Sequence, residues 1–215
     1  MKHSSFVTSA LATTLFSLLI GCSSSDDDSD DGDSITGVDT ITLVDGTVVE
    51  CGTAEASELS EIDVGDFSDD FESPTSFTVG PGANTLTATT VSGDLDYVTF
   101  TVGPCDTLTQ LTVDSYTSAS DTIAFISMQN GTAFTFPATE AAENTAEMLG
   151  LSHFGAADIG QDILPAIGEG ATAGELPPPL GFTPPLSAGD YTVWLNQTGA
   201  AESTAALVFM VDRGQ

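Results

Sequence analysis

Short windows in which apolar and polar residues alternate recur along this chain, separated by turns that contain glycine or proline. In the window from 97 to 102, Val98, Phe100 and Val102 share one face of a strand. Because successive side chains of a β-strand point to opposite faces, such a window predicts a strand with one buried face. Many such strands predict an all-β fold, an antiparallel β-sandwich of the jelly-roll type.

Further windows extend this pattern over most of the chain. Residues 40–51 are predicted to form a hairpin around a two-residue turn, Asp45-Gly46. A second turn, Asn130-Gly131, is expected to send the chain back through Phe134 and Phe136. Other strands are predicted at residues 123–128, 191–196 and 205–211.

Composition divides the chain into four parts. We expect a signal peptide at 1–21, an acidic linker at 22–38, an N-terminal β-hairpin segment at 39–60 and the β-sandwich domain at 61–212. Within the sandwich, residues 137–182 are expected to be an insertion of loops and short helices. Helical patterns occur at residues 143–149 and 158–167.

The N-terminus has the pattern of a secretory signal peptide. Lys2 precedes an uncharged run from Phe6 to Ile20, which is shorter than the roughly 20 apolar residues of a membrane-spanning helix. The run ends in Leu19-Ile20-Gly21-Cys22, which resembles the lipobox of bacterial lipoproteins and implies a lipid on Cys22. Ser23 after the cysteine points, by the same resemblance, to the outer membrane. The alternative is ordinary secretion with a chance cysteine.

An acidic block follows Cys22. Its aspartates are interleaved with serine and glycine: Asp26, Asp27, Asp28, Asp30, Asp31 and Asp33. Because these charges repel one another and no apolar residue can be buried, the block predicts a disordered tether. An EF-hand calcium loop is excluded here, since the spacing to a closing glutamate is missing.

Charge limits the partners of the chain. The sequence has 32 Asp and Glu against 2 Lys and Arg, and cleavage of the signal peptide would leave only Arg213. Nucleic-acid binding needs cations that neutralise phosphates, so a nucleic-acid partner is excluded. Anionic lipid would repel the chain as well, which leaves the acyl anchor to hold it at the membrane. The acids either attract cations or form a solvation shell suited to a salty medium.

Two cysteines remain after the lipobox, Cys51 and Cys105. In an oxidising compartment outside the inner membrane, an even pair favours a disulfide. Such a bond would close a long loop and contribute roughly 3 to 4 kcal/mol by the chain-entropy estimate. Two separate buried thiols are the alternative.

Three stretches carry a common set of motifs: SFTVG at 76–80, GDLDYVTFTV at 93–102 and LSAGDYTVWL at 186–195. Together they resemble the bacterial pre-peptidase C-terminal domain, a jelly-roll β-sandwich of secreted enzymes and surface proteins. The resemblance extends from residue 61 to about residue 211. The chain departs from that family in the insertion, which separates the two later motifs and carries His153-Phe154-Gly155.

The resemblance also implies a calcium site. In family members that bind calcium, the metal lies where an acidic opening meets the Asp-x-Asp turn. Carried over to this chain, that arrangement nominates Asp66, Asp69, Asp70, Asp94 and Asp96. Calcium takes about six to eight oxygens in irregular geometry, and crowded carboxylates repel one another unless a cation neutralises them. The alternative is that these turn acids are splayed into solvent.

The sequence gives little support to catalysis. His153 is the only histidine of the mature chain, and no Gly-x-Ser-x-Gly elbow occurs. His153 and Trp194 are candidate ligand-facing residues, with packing under the insertion as the alternative for Trp194.

We therefore expect a non-enzymatic, lipid-anchored outer-membrane lipoprotein of the cell envelope. Its β-sandwich would present a surface to polysaccharide or to a surface protein, with Ca²⁺ as a stabilising ion. The alternative function is an accessory domain or a hydrolase that acts on an extracellular glycan or ester.

Overall fold

A computed structural model describes residues 39–42, 45–120, 122–170, 176–197 and 199–214. The predicted signal peptide, the lipidation site Cys22 and the acidic tether lie outside these residues and stay predictions. Within the described ranges, the helices are too short and too polar to cross a membrane.

The described residues form short strands joined by turns and a few short helices. The strands are β1 (Thr40–Thr42), β2 (Val48–Glu50), β3 (Glu58–Ser60), β4 (Thr75–Phe77), β5 (Gly82–Thr90), β6 (Leu95–Val102), β7 (Asp106–Ser118), β8 (Ala124–Asn130), β9 (Gly150–Phe154), β10 (Gly189–Gln197) and β11 (Ser203–Arg213). The helices are α1 (Glu61–Val64) and α2 (Leu164–Glu169), with 3-10 turns at Ala138–Glu140, Thr145–Glu147 and Ala156–Asp158.

Two sheets make up the body of the domain. One sheet has the order β4-β6-β10-β8-β9, and the other has the order β3-β5-β11-β7. Neighbouring strands are antiparallel except for the pairs β3 with β5 and β4 with β6, which are parallel. The all-β sandwich predicted from the alternating windows is confirmed.

The core lies between the inner faces of the two sheets. Val98, Phe100 and Val102 of β6 are buried there, as their alternation predicted. They meet Phe209 of β11, whose ring lies edge-on to Phe100 at 5.1 Å and to Phe77 at 5.6 Å. Aromatic pairs in this geometry add attraction to the burial of apolar area.

A second apolar cluster covers the outer face of the five-stranded sheet. Tyr97 and Trp194 stack with ring centroids 5.9 Å apart, and Phe134 packs edge-on against Tyr97 at 5.5 Å. The segment through Phe134 and Phe136, to which the turn after Asn130 was expected to return the chain, is irregular and packs both rings across this face. Tertiary packing therefore overrides the strand pattern here.

The region predicted as an insertion is continuous with the sandwich. Its strand β9 pairs with β8 and widens the five-stranded sheet. Within 143–149 only one 3-10 turn forms, and of 158–167 only the end is α-helical, because α2 begins at Leu164, one residue before a proline. At the other boundary, β3 joins the sheet at residue 58, ahead of the predicted domain start at 61.

The N-terminal hairpin is attached to the sandwich by a covalent bond and a charged group. Strands β1 and β2 pair from Thr42–Val48 to Thr40–Glu50, which leaves a connection longer than the two residues expected. Cys51 and Cys105 form the predicted disulfide, with Cα atoms 5.2 Å apart. Arg213 donates to Asp106 and Asp39 at 3.1 and 3.3 Å, so the hairpin is linked to the last strand.

Candidate metal centre

The first part of the centre is Glu61, at the point where β3 ends. The Ser60 hydroxyl accepts from the Ile62 amide at 3.3 Å and starts the single turn of α1. The carboxylate of Glu61 accepts two backbone amides: Oε1 from Phe67 at 3.2 Å and Oε2 from Thr89 at 2.5 Å. Glu61 is therefore held in one position between the loop after α1 and strand β5.

Asp66 reaches the same place because the chain reverses after α1. Gly65 caps the helix with φ of 89°, a conformation that residues with a Cβ rarely adopt. Its amide donates to the Glu61 carbonyl at 2.9 Å, which closes the turn. The side chain of Asp66 is consequently brought back beside Glu61.

Asp96 supplies the buried part of the centre. It lies near the start of β6, where the alternation that buries Val98 and Phe100 also directs Asp96 toward the interior. Its exposed fraction is 0%. Among the described residues, neither carboxylate oxygen of Asp96 has a hydrogen-bond partner. A buried carboxylate without a partner is costly, so the residue needs a neutralising group.

These three acids form one cluster. One carboxylate oxygen from each of Glu61, Asp66 and Asp96 lies within 4.8 Å of the others. Each comes from a different element: the start of α1, the loop after it, and strand β6. Their mutual repulsion in a partly buried setting opposes folding unless positive charge is present.

The titration behaviour of the centre reflects that crowding. Burial, followed by the charges of Glu61 and Asp94, raises the pKa of Asp96 to about 9. Asp94 lies in the turn between β5 and β6, and burial followed by the charges of Asp66 and Asp69 raises its pKa to about 6. Both carboxyl groups therefore resist ionisation in the absence of a cation.

Of the five ligands predicted from the sequence, two lie in the cluster, one lies beside it and two accept backbone amides in turns. Asp66 and Asp96 lie in the cluster, and Asp94 lines the cleft beside it. Asp69 Oδ1 accepts from the Leu95 amide at 2.9 Å and fixes the turn before β6. Asp70 Oδ1 accepts from the Glu72 amide at 3.0 Å, as turn aspartates commonly do.

Sequence reasoning missed Glu61. The residue reaches Asp96 because β3 pairs in parallel with β5, with Leu59 opposite Leu86. A parallel pairing between segments so far apart in the chain has no local signal in the sequence. The one usable hint was the position of Glu61 at the acidic opening of the domain.

A cleft of about 490 Å³ opens beside the cluster. Its lining consists of Glu61, Asp66, residues 89–94 and Glu202. Asp96 lies beneath it, fully buried. The cluster is therefore closed to solvent at Asp96 and open to solvent where Glu61 and Asp66 line the cleft.

The donor set is suited to a hard divalent cation. All three groups of the cluster are carboxylates, which calcium prefers, whereas zinc sites in proteins are usually built from cysteine and histidine. The two oxygens of Glu61 already accept one amide each and keep a second lone pair for a metal. Glu61, Asp66 and Asp96 would hold the ion, with Asp94 at its rim.

The two candidate ligand-facing residues lie elsewhere. Trp194 is buried, with 5% of its surface exposed, in the cluster under Phe134, which favours the packing alternative. His153 is exposed on β9, with its ring 5.4 Å from that of Phe125. In the described part of the chain, no hydrogen bond joins the His153 imidazole to a serine or an acid.

Comparison of the chain with known protein families, with curated proteins and with solved structures gave no match. The resemblance to pre-peptidase C-terminal domains therefore stays a prediction. The assignment of the metal centre depends on the geometry of Glu61, Asp66 and Asp96, and on the buried, unpartnered carboxylate of Asp96.

Proposed function

We propose that this protein is a non-enzymatic binding module of the cell envelope, anchored by a lipid on Cys22, whose β-sandwich binds one Ca²⁺. The observation that carries the calcium assignment is Asp96, a fully buried carboxylate with no hydrogen-bond partner among the described residues. Its position beside Glu61 and Asp66 provides the oxygen ligands that calcium prefers.

A bound calcium ion would stabilise the fold. It would join the start of α1, the loop at Asp66 and the first residues of β6, which otherwise repel one another. A ligand that binds only the folded state raises its free energy of unfolding. The competing neutraliser is a proton shared within the carboxylate cluster.

The tether and the N-terminal hairpin would connect the lipid anchor to the sandwich. The acidic stretch 22–38 would act as a tether between the lipid and the domain. The disulfide between Cys51 and Cys105 and the Arg213 contacts attach the hairpin that follows this tether to the sandwich. The module would then present its surface to polysaccharide or to a surface protein.

Thermal unfolding of the mature chain in mild detergent tests the calcium assignment. The melting temperature is measured in EDTA and then with millimolar CaCl₂, MgCl₂ or NaCl at constant ionic strength. We expect a calcium-specific increase, because magnesium demands a more regular octahedral site. An equal increase with all three salts would mean that the acids form a general solvation shell.

Two variants make this test specific. Asp96→Asn should abolish the calcium response and raise the melting temperature in EDTA, because it removes a carboxyl group whose burial near Glu61 and Asp66 opposes ionisation. Asp63→Asn is the matched control, since Asp63 is an exposed acid of α1 outside the cluster. A variant at Asp96 that keeps the full calcium response would refute the assigned centre.

A further inference from the structure

The proposed centre would leave part of the ion's coordination sphere free. Glu61, Asp66 and Asp96 each offer one oxygen to the cluster, whereas calcium takes about six to eight. Asp96 closes the buried side, and Glu61 and Asp66 both line the cleft of about 490 Å³. The free coordination positions therefore face the cleft.

The cleft wall combines hydroxyl and carboxylate groups with one large apolar side chain, the exposed Val91. The hydroxyls of Thr89 and Thr90 are already paired across the sheet with Thr204 and Ser203, each at 3.1 Å. Ser92 and Glu202 are exposed on the wall. Neither side chain makes a hydrogen bond to another residue in the described part of the chain. They can accept from, and Ser92 can donate to, a bound polar molecule.

Charge decides which polar molecule fits. The cleft and its floor contain five carboxylates, those of Glu61, Asp66, Asp94, Asp96 and Glu202, and the wall has no Lys or Arg. One Ca²⁺ cannot balance them, so phosphates, sulfates and uronates would be repelled. Water or the hydroxyl groups of a neutral ligand can fill the free positions, and their O–H groups can donate to the surrounding carboxylates.

Resting on the proposed calcium site, we infer that the cleft binds a neutral polysaccharide, with two adjacent sugar hydroxyls as ligands of the calcium ion. Ser92 and Glu202 line the same cleft and would offer hydrogen-bonding oxygens to the bound glycan. The volume of about 490 Å³ lies in the usual range of small-ligand sites and admits a short stretch of a glycan chain. The cleft has no aromatic side chain in its lining, so calcium rather than stacking would supply most of the affinity.

The test uses the mature chain in mild detergent and a panel of immobilised polysaccharides. The neutral probes are a mannan, a galactan and a glucan, which differ in the orientation of adjacent hydroxyls, and the anionic probe is a sulfated dextran. We expect retention on at least one neutral polymer in 1 mM CaCl₂ and at least tenfold weaker retention in EDTA. Free monosaccharide of the same type should elute the protein.

Variants separate this inference from the calcium site itself. Ser92→Ala and Glu202→Gln together should weaken glycan retention severalfold while leaving the calcium-induced increase in melting temperature unchanged. Glu143→Gln, an exposed glutamate outside the cleft, is the matched control and should change neither.

Each outcome has a defined meaning. Retention that survives EDTA, or retention on the sulfated polymer in preference to the neutral ones, would overturn the inference. A normal calcium shift without retention on any neutral polymer would also overturn it and leave the proposed calcium site intact. Loss of the calcium shift in the unaltered chain would instead refute the proposed function.

Discussion

Strand β6 carries two regions on the same inner face, and they contrast in chemistry. Val98 and Phe100 pack against Phe209 of the opposite sheet, and the apolar area that they bury stabilises the fold. Asp96, two residues before Val98, is just as deeply buried but has no hydrogen-bond partner in the described part of the chain. Burial of Val98 and Phe100 favours folding, whereas burial of Asp96 opposes it. Packing therefore does not explain why an acid occupies this position.

The core region should show the largest loss of stability on substitution. Phe209→Ala removes a fully buried ring between Phe77 and Phe100 and should cost about 3 to 5 kcal/mol. Met210→Ala, on the other face of β11, should cost clearly less because that side chain is only partly buried. Urea unfolding measures both, and equal losses would contradict the placement of the core between the sheets.

The disulfide lies near the end of β6 that is remote from Asp96, so its removal serves as a comparison for changes in the acidic region. Replacement of Cys51 and Cys105 together by serine should lower the free energy of unfolding by about 2 to 4 kcal/mol. Calcium affinity should change little, because the bond lies at the end of β6 remote from Asp96. Loss of calcium binding in this variant, measured by calorimetric titration, would contradict the expectation that the disulfide and the acidic region act independently.

The acidic region should make stability depend on pH in the opposite sense to an ordinary salt bridge. The folded-state pKa of Asp96 is raised to about 9 and that of Asp94 to about 6, above the usual value of 3.8. In EDTA the stabilisation is therefore complete at low pH and is lost as the pH rises through these values. Urea unfolding at pH 5, 7 and 9 should show falling stability, with a flatter slope in Asp96→Asn.

Saturating calcium should reverse that dependence, because protons compete with the ion for the same oxygens. At pH 7 in EDTA, Asp96→Asn should be more stable than the unaltered chain by on the order of 1 to 3 kcal/mol. If the substitution destabilised the metal-free protein instead, Asp96 would be a satisfied structural residue and the contrast along β6 would disappear.

The smallest effect is expected at His153. Its side chain is exposed on β9, so His153→Ala should change the free energy of unfolding by less than about 0.5 kcal/mol. It should also leave glycan retention unchanged, because His153 is not part of the cleft lining. Hydrolysis of a glycoside or ester that disappeared in this variant would contradict the non-enzymatic proposal.

Local patterns predicted the parts of this molecule that depend on neighbouring residues. The alternation around Val98 and Phe100 gave the strand and its buried face, and the two cysteines gave the disulfide. The same alternation, extended two residues backward from Val98, directs Asp96 into the interior, although its Asp-x-Asp motif indicated a turn.

The parts that escaped prediction depend on distant segments. Glu61 joins the acidic cluster through the parallel pairing of β3 with β5. Phe134 and Phe136 cover Tyr97 and Trp194 because that outer face is apolar and needs a cover. Asp70 carries the same side chain as Asp66 but accepts from the amide of Glu72 in a local turn, a difference that depends on where the fold places each backbone.

Calcium binding measured at equilibrium tests the central claim most directly. Isothermal titration of the mature chain, first stripped with EDTA and then dialysed, should give one specific site per chain. The site should be lost in Asp96→Asn and kept in Asp63→Asn. Several weak and equivalent sites, unaffected by Asp96→Asn, would show that the buried acid is not a metal ligand.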